Sequence, residues 1–154
     1  MSLYFLDSSS LVKRYVTETG SGWIRAIIDP AARNPIIIAR ITWVEVLSAL
    51  ARRQREGSIT SGDVARAIQT FSYDLDIQYQ VAEVSTALVK TAGELVIQHP
   101  LRAYDAVQLA SALMVQSDLA HTGVTPLTFL TADERLNAIA QAEGLVTDNP
   151  NHHP

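Results

Sequence analysis

The chain has 154 residues, no cysteine, 47% hydrophobic residues and a net charge of −4. That length encloses one core without staples, and the absence of cysteine excludes disulfides and thiolate metal centres, leaving oxygen or imidazole as cation donors. No basic leader precedes a long apolar stretch and no apolar run approaches the ~20 residues that span a bilayer, so the expectation is a cytoplasmic protein with no membrane contact.

Taken in chain order, short apolar strands alternate with longer segments of helical period, which is the pattern of an α/β fold with a parallel sheet. Leu3–Leu6 reads as a first, buried strand. A short helix follows over about Ser9–Tyr15 and another over Ser21–Ile28, stopped by Pro30. Ile36–Ala39 (IIIA) reads as the second strand. Thr42 with Glu45 three residues on has the form of a capping box for a helix that runs to Gly57. Helices near 61–71 and 81–98, the latter ending before Pro100, suggest a helical hairpin inserted between the two halves. The last elements are a helix over about Ala103–Gln116, a strand Leu127–Leu130 (LTFL), a helix Ala132–Ala142 and a short strand Leu145–Thr147. One domain over residues 1–148 is expected, with 149–154 (NPNHHP) a disordered tail.

Charge is unevenly spread. Residues 1–70 carry nine Lys/Arg against six Asp/Glu, and residues 71–154 carry three against ten. Arg52, Arg53 and Arg55 at one helix end, with Lys13 and Arg14 on another, are candidates for phosphate contact; a solvated helix face explains them equally well.

Four acids fall where such a fold brings side chains together. Asp7 directly follows strand one, at the carboxyl end where open parallel sheets bind ligands. Asp133 stands just beyond LTFL. Glu45 in TWVEVLSAL and Asp105 in RAYDAVQLASAL sit in first turns among apolar neighbours, where a carboxylate is costly unless paired or metal-bound. Each also has an ordinary explanation: Glu45 completes a capping box, Asp105 and Asp133 are helix-start acids, and Asp7 with Ser8, Ser9 and Ser10 is a cap.

The segments LYFLDSSSLVKRYV, ITWVEVLSALARRQREGSI, LRAYDAVQLASALM and FLTADERLNAIAQAEGL resemble, in order and spacing, the four signature blocks of the PIN-domain family, and the likeness to its VapC-type toxins covers residues 3–147. The resemblance implies a PIN-like three-layer fold, a small parallel sheet flanked by helices. It implies an endoribonuclease that needs Mg²⁺ or Mn²⁺ and hydrolyses RNA phosphodiesters by metal-activated water, leaving a 5′-phosphate and a 3′-hydroxyl. Carried over residue by residue, Asp7, Glu45, Asp105 and Asp133 match the catalytic, metal-holding acids, and Ser9 and Thr131 the hydroxyls that support them. In VapC-type members it further implies a toxin of a type II toxin–antitoxin pair, a cognate antitoxin and a homodimer.

Other chemistry fits less well. His99, His121, His152 and His153 do not nominate a Ser/His/Asp arrangement, and Gly20 and Gly22 lack the Lys-Ser/Thr that ends a phosphate loop. An aspartyl phosphotransferase wants a second Asp where Ser9 stands, and a receiver domain wants an acidic pair near strand one. Two alternatives within the family remain: a non-toxin nuclease of RNA processing and a catalytically silent binding module.

Overall fold

The computed structural model describes residues 1–124 and 126–154. Five short strands form one parallel sheet in the order β3-β2-β1-β4-β5. They are β1 (Tyr4–Leu6), β2 (Ile36–Ala39), β3 (Gln80–Ala82), β4 (Thr128–Leu130) and β5 (Val146–Asp148). Among the described residues seven α-helices connect and cover them: α1 (Ser8–Tyr15), α2 (Ser21–Ile28), α3 (Thr42–Arg55), α4 (Ser61–Ile77), α5 (Thr86–Gln98), α6 (Ala103–Leu119) and α7 (Glu134–Ala142).

The period-two alternation of the strands divides the interior into two layers. Phe5, Ile37, Ala39 and Phe129 face one side and pack with Leu88 and Leu95 of α5, Leu109 of α6 and Leu136 of α7. Leu6, Ile36, Ile38 and Leu130 face the other and pack with Leu11 of α1, Ile24 and Ile28 of α2, Val46 and Leu50 of α3 and Phe71 of α4. Strands buried on both faces read as unbroken apolar runs, which is why IIIA and LTFL stand out in the sequence. From β1 the chain first builds β2 and β3 to one side, then returns to add β4 and β5 on the other. The boundary between β1 and β4 is therefore the switch point of the sheet, where a crevice opens at the carboxyl ends of the strands.

Three expectations are corrected. The hairpin is broken by β3, which pairs with β2 through Ile37↔Gln80, Ile38↔Val81 and Ala39↔Ala82; α5 begins only at Thr86, where the Ser85 hydroxyl accepts from the Leu88 amide at 3.1 Å. Val81, Val84 and Leu88 carry a helical spacing that hides the strand. α4 runs on to Ile77 and lies against α3 and α1, while α5 lies against α6. Second, Thr42 does not cap α3: the cap position is Ile41, without a side-chain hydrogen bond, and Thr42 is buried inside the helix. A capping box does occur one helix later, between Thr60 and Asp63. Third, the expected tail is packed in part: Asn149 and Pro150 are buried, while Asn151, His152 and Pro154 are exposed. Asn149 donates to Glu134 at 2.7 Å, and the His153 ring stacks on Trp23 at 4.0 Å between centroids. Gly20 adopts φ +84° against Pro150, whose carbonyl oxygen lies 2.2 Å from where a Cβ would stand, so only glycine fits there.

Candidate active site

Asp7 leaves the end of β1 and becomes the N-cap of α1, its Oδ1 accepting from the Ser10 amide at 2.9 Å. The Ser9 hydroxyl donates to the same oxygen at 2.7 Å, and the Thr131 hydroxyl donates to Oδ2 at 2.6 Å. Thr131 follows β4, the neighbour of β1, so these contacts cross the switch point between residues 124 apart in sequence. The Ser9 hydroxyl in turn accepts from the Ala132 amide and the Thr131 hydroxyl from the Asp133 amide. Asp7 is 3% exposed and no cation pairs with it among the described residues. Burial pushes its carboxyl up to about 6, against the pull of the hydrogen bonds from Thr131, Ser9 and Ser10, and the charge of Asp105 adds to the rise.

Glu45 projects from the first turn of α3 toward the same place. Its carboxylate accepts from Gln108 of α6 at 2.7 Å and from Ser8 of α1 at 3.2 Å. Gln108 also donates to Thr42 at 2.9 Å, so the residue expected to cap α3 instead anchors the amide that holds Glu45. Burial raises the Glu45 carboxyl to about 7; the Gln108 and Ser8 hydrogen bonds oppose this and the charges of Asp7 and Asp105 reinforce it. Asp105, in the first turn of α6, is raised by burial and then by the charge of Asp133, with Arg102 and Arg135 opposing. Asp133 caps α7, its Oδ1 accepting from the Arg135 and Leu136 amides at 2.8 and 3.2 Å. The cap reading of Asp7 and Asp133 therefore holds alongside their place in the cleft, whereas Glu45 and Asp105 cap nothing.

All four carboxylates, with Ser9, line one open cleft of about 590 Å³. Among the described residues no three acidic or histidine side chains converge closely enough to form a finished cation cage; the acids flank the cleft instead. Its donors are hard oxygens, the kind a hard divalent cation takes.

The basic residues divide. Arg52 and Arg53 line the cleft together with Lys13. Lys13 is buried and bonds Glu18 at 3.1 Å and the Thr19 carbonyl at 2.8 Å, while Arg53 bonds the other Glu18 oxygen at 2.9 Å. Glu18 thus holds two of the cations. Arg14 points away: it borders a separate groove and pairs with buried Asp74 at 3.3 Å. Arg55 does not line the cleft either. Sequence reasoning missed Ser8, Gln108 and Glu18, and it did not foresee that Lys13, named for phosphate contact, is held by Glu18. Nothing in the run Ser8-Ser9-Ser10 tells which hydroxyl meets Asp7 and which meets Glu45, because that depends on how α1 is docked.

The tail braces this site. Asn149 and His152 both bond Glu134, the residue after Asp133, His152 at 2.7 Å. No helix of the described residues is long and apolar enough to cross a membrane.

A family model described as PIN domain matches residues 4–142. Ribonuclease VapC45 and Ribonuclease VapC49, both of Mycobacterium tuberculosis, are each 33% identical to the chain over 144 residues, covering 94% of it and 93% of their own length. Among solved structures, VapC20 of Mycobacterium tuberculosis, described as a sarcin-ricin loop cleaving toxin, superposes with a TM-score of 0.62 at 18% identity over 93% of this chain and 96% of that one. A toxin–antitoxin complex from Klebsiella pneumoniae gives a TM-score of 0.61 at 18% identity, covering 97% of this chain and 98% of the other. With a family match over nearly its whole length and relatives at one-third identity, the chain belongs to the PIN domain family.

Proposed function

We propose that the protein is a metal-dependent endoribonuclease that hydrolyses RNA phosphodiester bonds in the cleft at the β1–β4 switch point, acting as the toxin of a toxin–antitoxin pair. The observation that carries this reading is Asp7: a buried carboxylate with both oxygens held by hydroxyls and an amide, no cation beside it, and further acids around it. Such a site is electrostatically unfinished, and a divalent cation completes it. Ribonuclease names among the relatives and toxin–antitoxin assemblies among the structural neighbours support the substrate and a cognate antitoxin as partner. The substrate and the cysteine-free composition agree with a cytoplasmic setting.

Asp7, Glu45, Asp105 and Asp133 would hold Mg²⁺ or Mn²⁺, a fit that rests on their all-oxygen donor set and uncompensated charge. When bound, such an ion supplies Lewis acidity toward a phosphate and lowers the pKa of water. The chain's own residues do the rest. Ser9 and Thr131 orient Asp7, while Gln108 and Ser8 orient Glu45. Arg52 and Arg102 line the cleft outside the Glu18 network and can meet substrate phosphates; Arg53 is already bound to Glu18. Homodimerisation is part of the same proposal by likeness to the toxin class.

The test is direct. Purified protein cuts single-stranded RNA with Mg²⁺ or Mn²⁺, and excess EDTA stops it; cleavage undiminished in EDTA removes the metal-dependent reading. A silent binding module cuts nothing under either condition.

A further inference from the structure

We propose that Tyr104 and Val44 form a nucleobase subsite at the mouth of the acidic cleft, with the Tyr104 ring stacking on a base next to the phosphate that the carboxylates address. The inference rests on the nuclease reading and deepens it by assigning a contact to the substrate's bases.

Both residues line the cleft. Tyr104 is 61% exposed and Val44 57%. A lone exposed apolar side chain needs no explanation, but these two come from different helices, α6 and α3, and line the same cleft beside its acids. Each also directly precedes the acid its helix delivers, Tyr104 before Asp105 and Val44 before Glu45. Neighbours on a helix point in different directions, but here each pair lines the one cleft, so a group seated on Tyr104 or Val44 lies close to whatever the carboxylates hold.

The chemistry of the occupant follows from the surfaces. The cleft floor is anionic and accepts a phosphate only through a cation, and the Lys13–Glu18–Arg53 wall is polar. Tyr104 and Val44 are the large exposed apolar side chains that line it, and a phosphate or ribose gains nothing on them. Single-stranded RNA offers one apolar element, the flat face of its bases, and aromatic rings beside an arginine are how proteins commonly hold unstacked bases. Arg102, immediately before α6, lines the same cleft and can meet the phosphate of the adjoining nucleotide. Val44, from α3, adds an aliphatic surface that tolerates any base.

The experiment uses the full chain with Mn²⁺. Cut sites are mapped on total RNA, and short single-stranded oligoribonucleotides spanning a mapped site are then made intact or abasic at each position flanking the cut. Stacking of one base on an aromatic ring contributes enough for Tyr104→Ala to raise KM on the intact oligonucleotide about 5- to 140-fold, and Tyr104→Phe restores it. On the oligonucleotide abasic at the stacked position, wild type and Tyr104→Ala converge. An unchanged KM for Tyr104→Ala, an equal loss in Tyr104→Phe, or a loss that persists on both abasic substrates overturns the subsite and leaves the nuclease reading standing. Wild type that cuts no RNA overturns both. Melting curves of the variants, with the side chain mostly in solvent, verify that the fold is intact.

Discussion

Two buried aspartates in this molecule have opposite surroundings. Asp74 of α4, 4% exposed, accepts from the Tyr15 hydroxyl at 2.8 Å, pairs with Arg14 at 3.3 Å and lies within reach of the Tyr79 hydroxyl at 3.4 Å. Asp7, 3% exposed, has hydroxyls and an amide but no cation among the described residues, and the charges coupled to it are those of the acids Asp105 and Glu45. A buried carboxylate serving the fold brings its counter-charge with it. Asp7 does not, and this mismatch between equal burial and unequal compensation is what the proposed metal site rests on.

The largest expected effect breaks the pair apart by function. Asp7→Asn lowers RNA cleavage by more than about 100-fold, since even outer support of a metal site is worth roughly 10–100-fold. Asp74→Asn keeps cleavage and loses stability instead, by about 1–3 kcal/mol, because it leaves the Arg14 guanidinium without its partner. Rates and melting curves on both variants check the cross; equal behaviour in the two assays would mean that the surroundings do not distinguish the sites.

Metal binding sharpens the contrast. A ligand at a hundred times its dissociation constant adds about 2.7 kcal/mol, and a chain of this size gains roughly 2–4 °C per kcal/mol, so saturating Mn²⁺ raises the melting temperature by roughly 5–10 °C. Asp74→Asn shows the same increment. Asp105→Asn melts at or above cation-free wild type, because one repelling charge is gone, and gains little from Mn²⁺. A full Mn²⁺ shift in Asp105→Asn reduces Asp105 to a helix-start acid.

The smallest effect is in pH. Asp7 at about 6 and Glu45 at about 7 both lie above the ordinary carboxylate values near 4. Between about pH 4 and pH 7 the cation-free folded state therefore holds more protons than the unfolded one, so stability falls as pH rises through that window and levels off above it. Measured against Glu45→Gln, which has no titrating group at that position, wild type loses a few degrees across the window. Saturating Mn²⁺ removes the fall. A wild-type curve parallel to Glu45→Gln from pH 4 to pH 7 would show that Glu45 is not held in an acid-raising environment.

Much of this was legible in the residues, and the exceptions share a cause. The runs IIIA and LTFL are unmistakable because both faces of the sheet are covered, and Asp7 and Asp133 are found by standing just past strands that end in the crevice. β3 was not legible: three residues whose exposed, intermediate, intermediate burial is that of an edge strand carry no apolar run, and Val81, Val84 and Leu88 imitate a helix. Thr42 looked like a cap because its spacing to Glu45 is right, yet its hydroxyl is turned inward to Gln108, a partner 66 residues away. Arg14 and Lys13 are adjacent in the sequence and reach different faces of α1, one toward Asp74 and one toward Glu18. Long-range partner choice of this kind is set by how helices dock, which local pattern does not record.

The hydrogen bond from Thr131 to Asp7 spans 124 residues, and it gives the site a position in time. At the usual 5–20 residues per second of synthesis, roughly 6–25 s separate the appearance of Asp7 from that of Thr131. Throughout that interval β1 lacks the neighbour on the β4 side, the hydroxyl that holds Asp7 Oδ2 does not exist, and Asp133 has yet to be made. A nascent chain therefore cannot gather its four acids into one cleft until its last strands are made and docked.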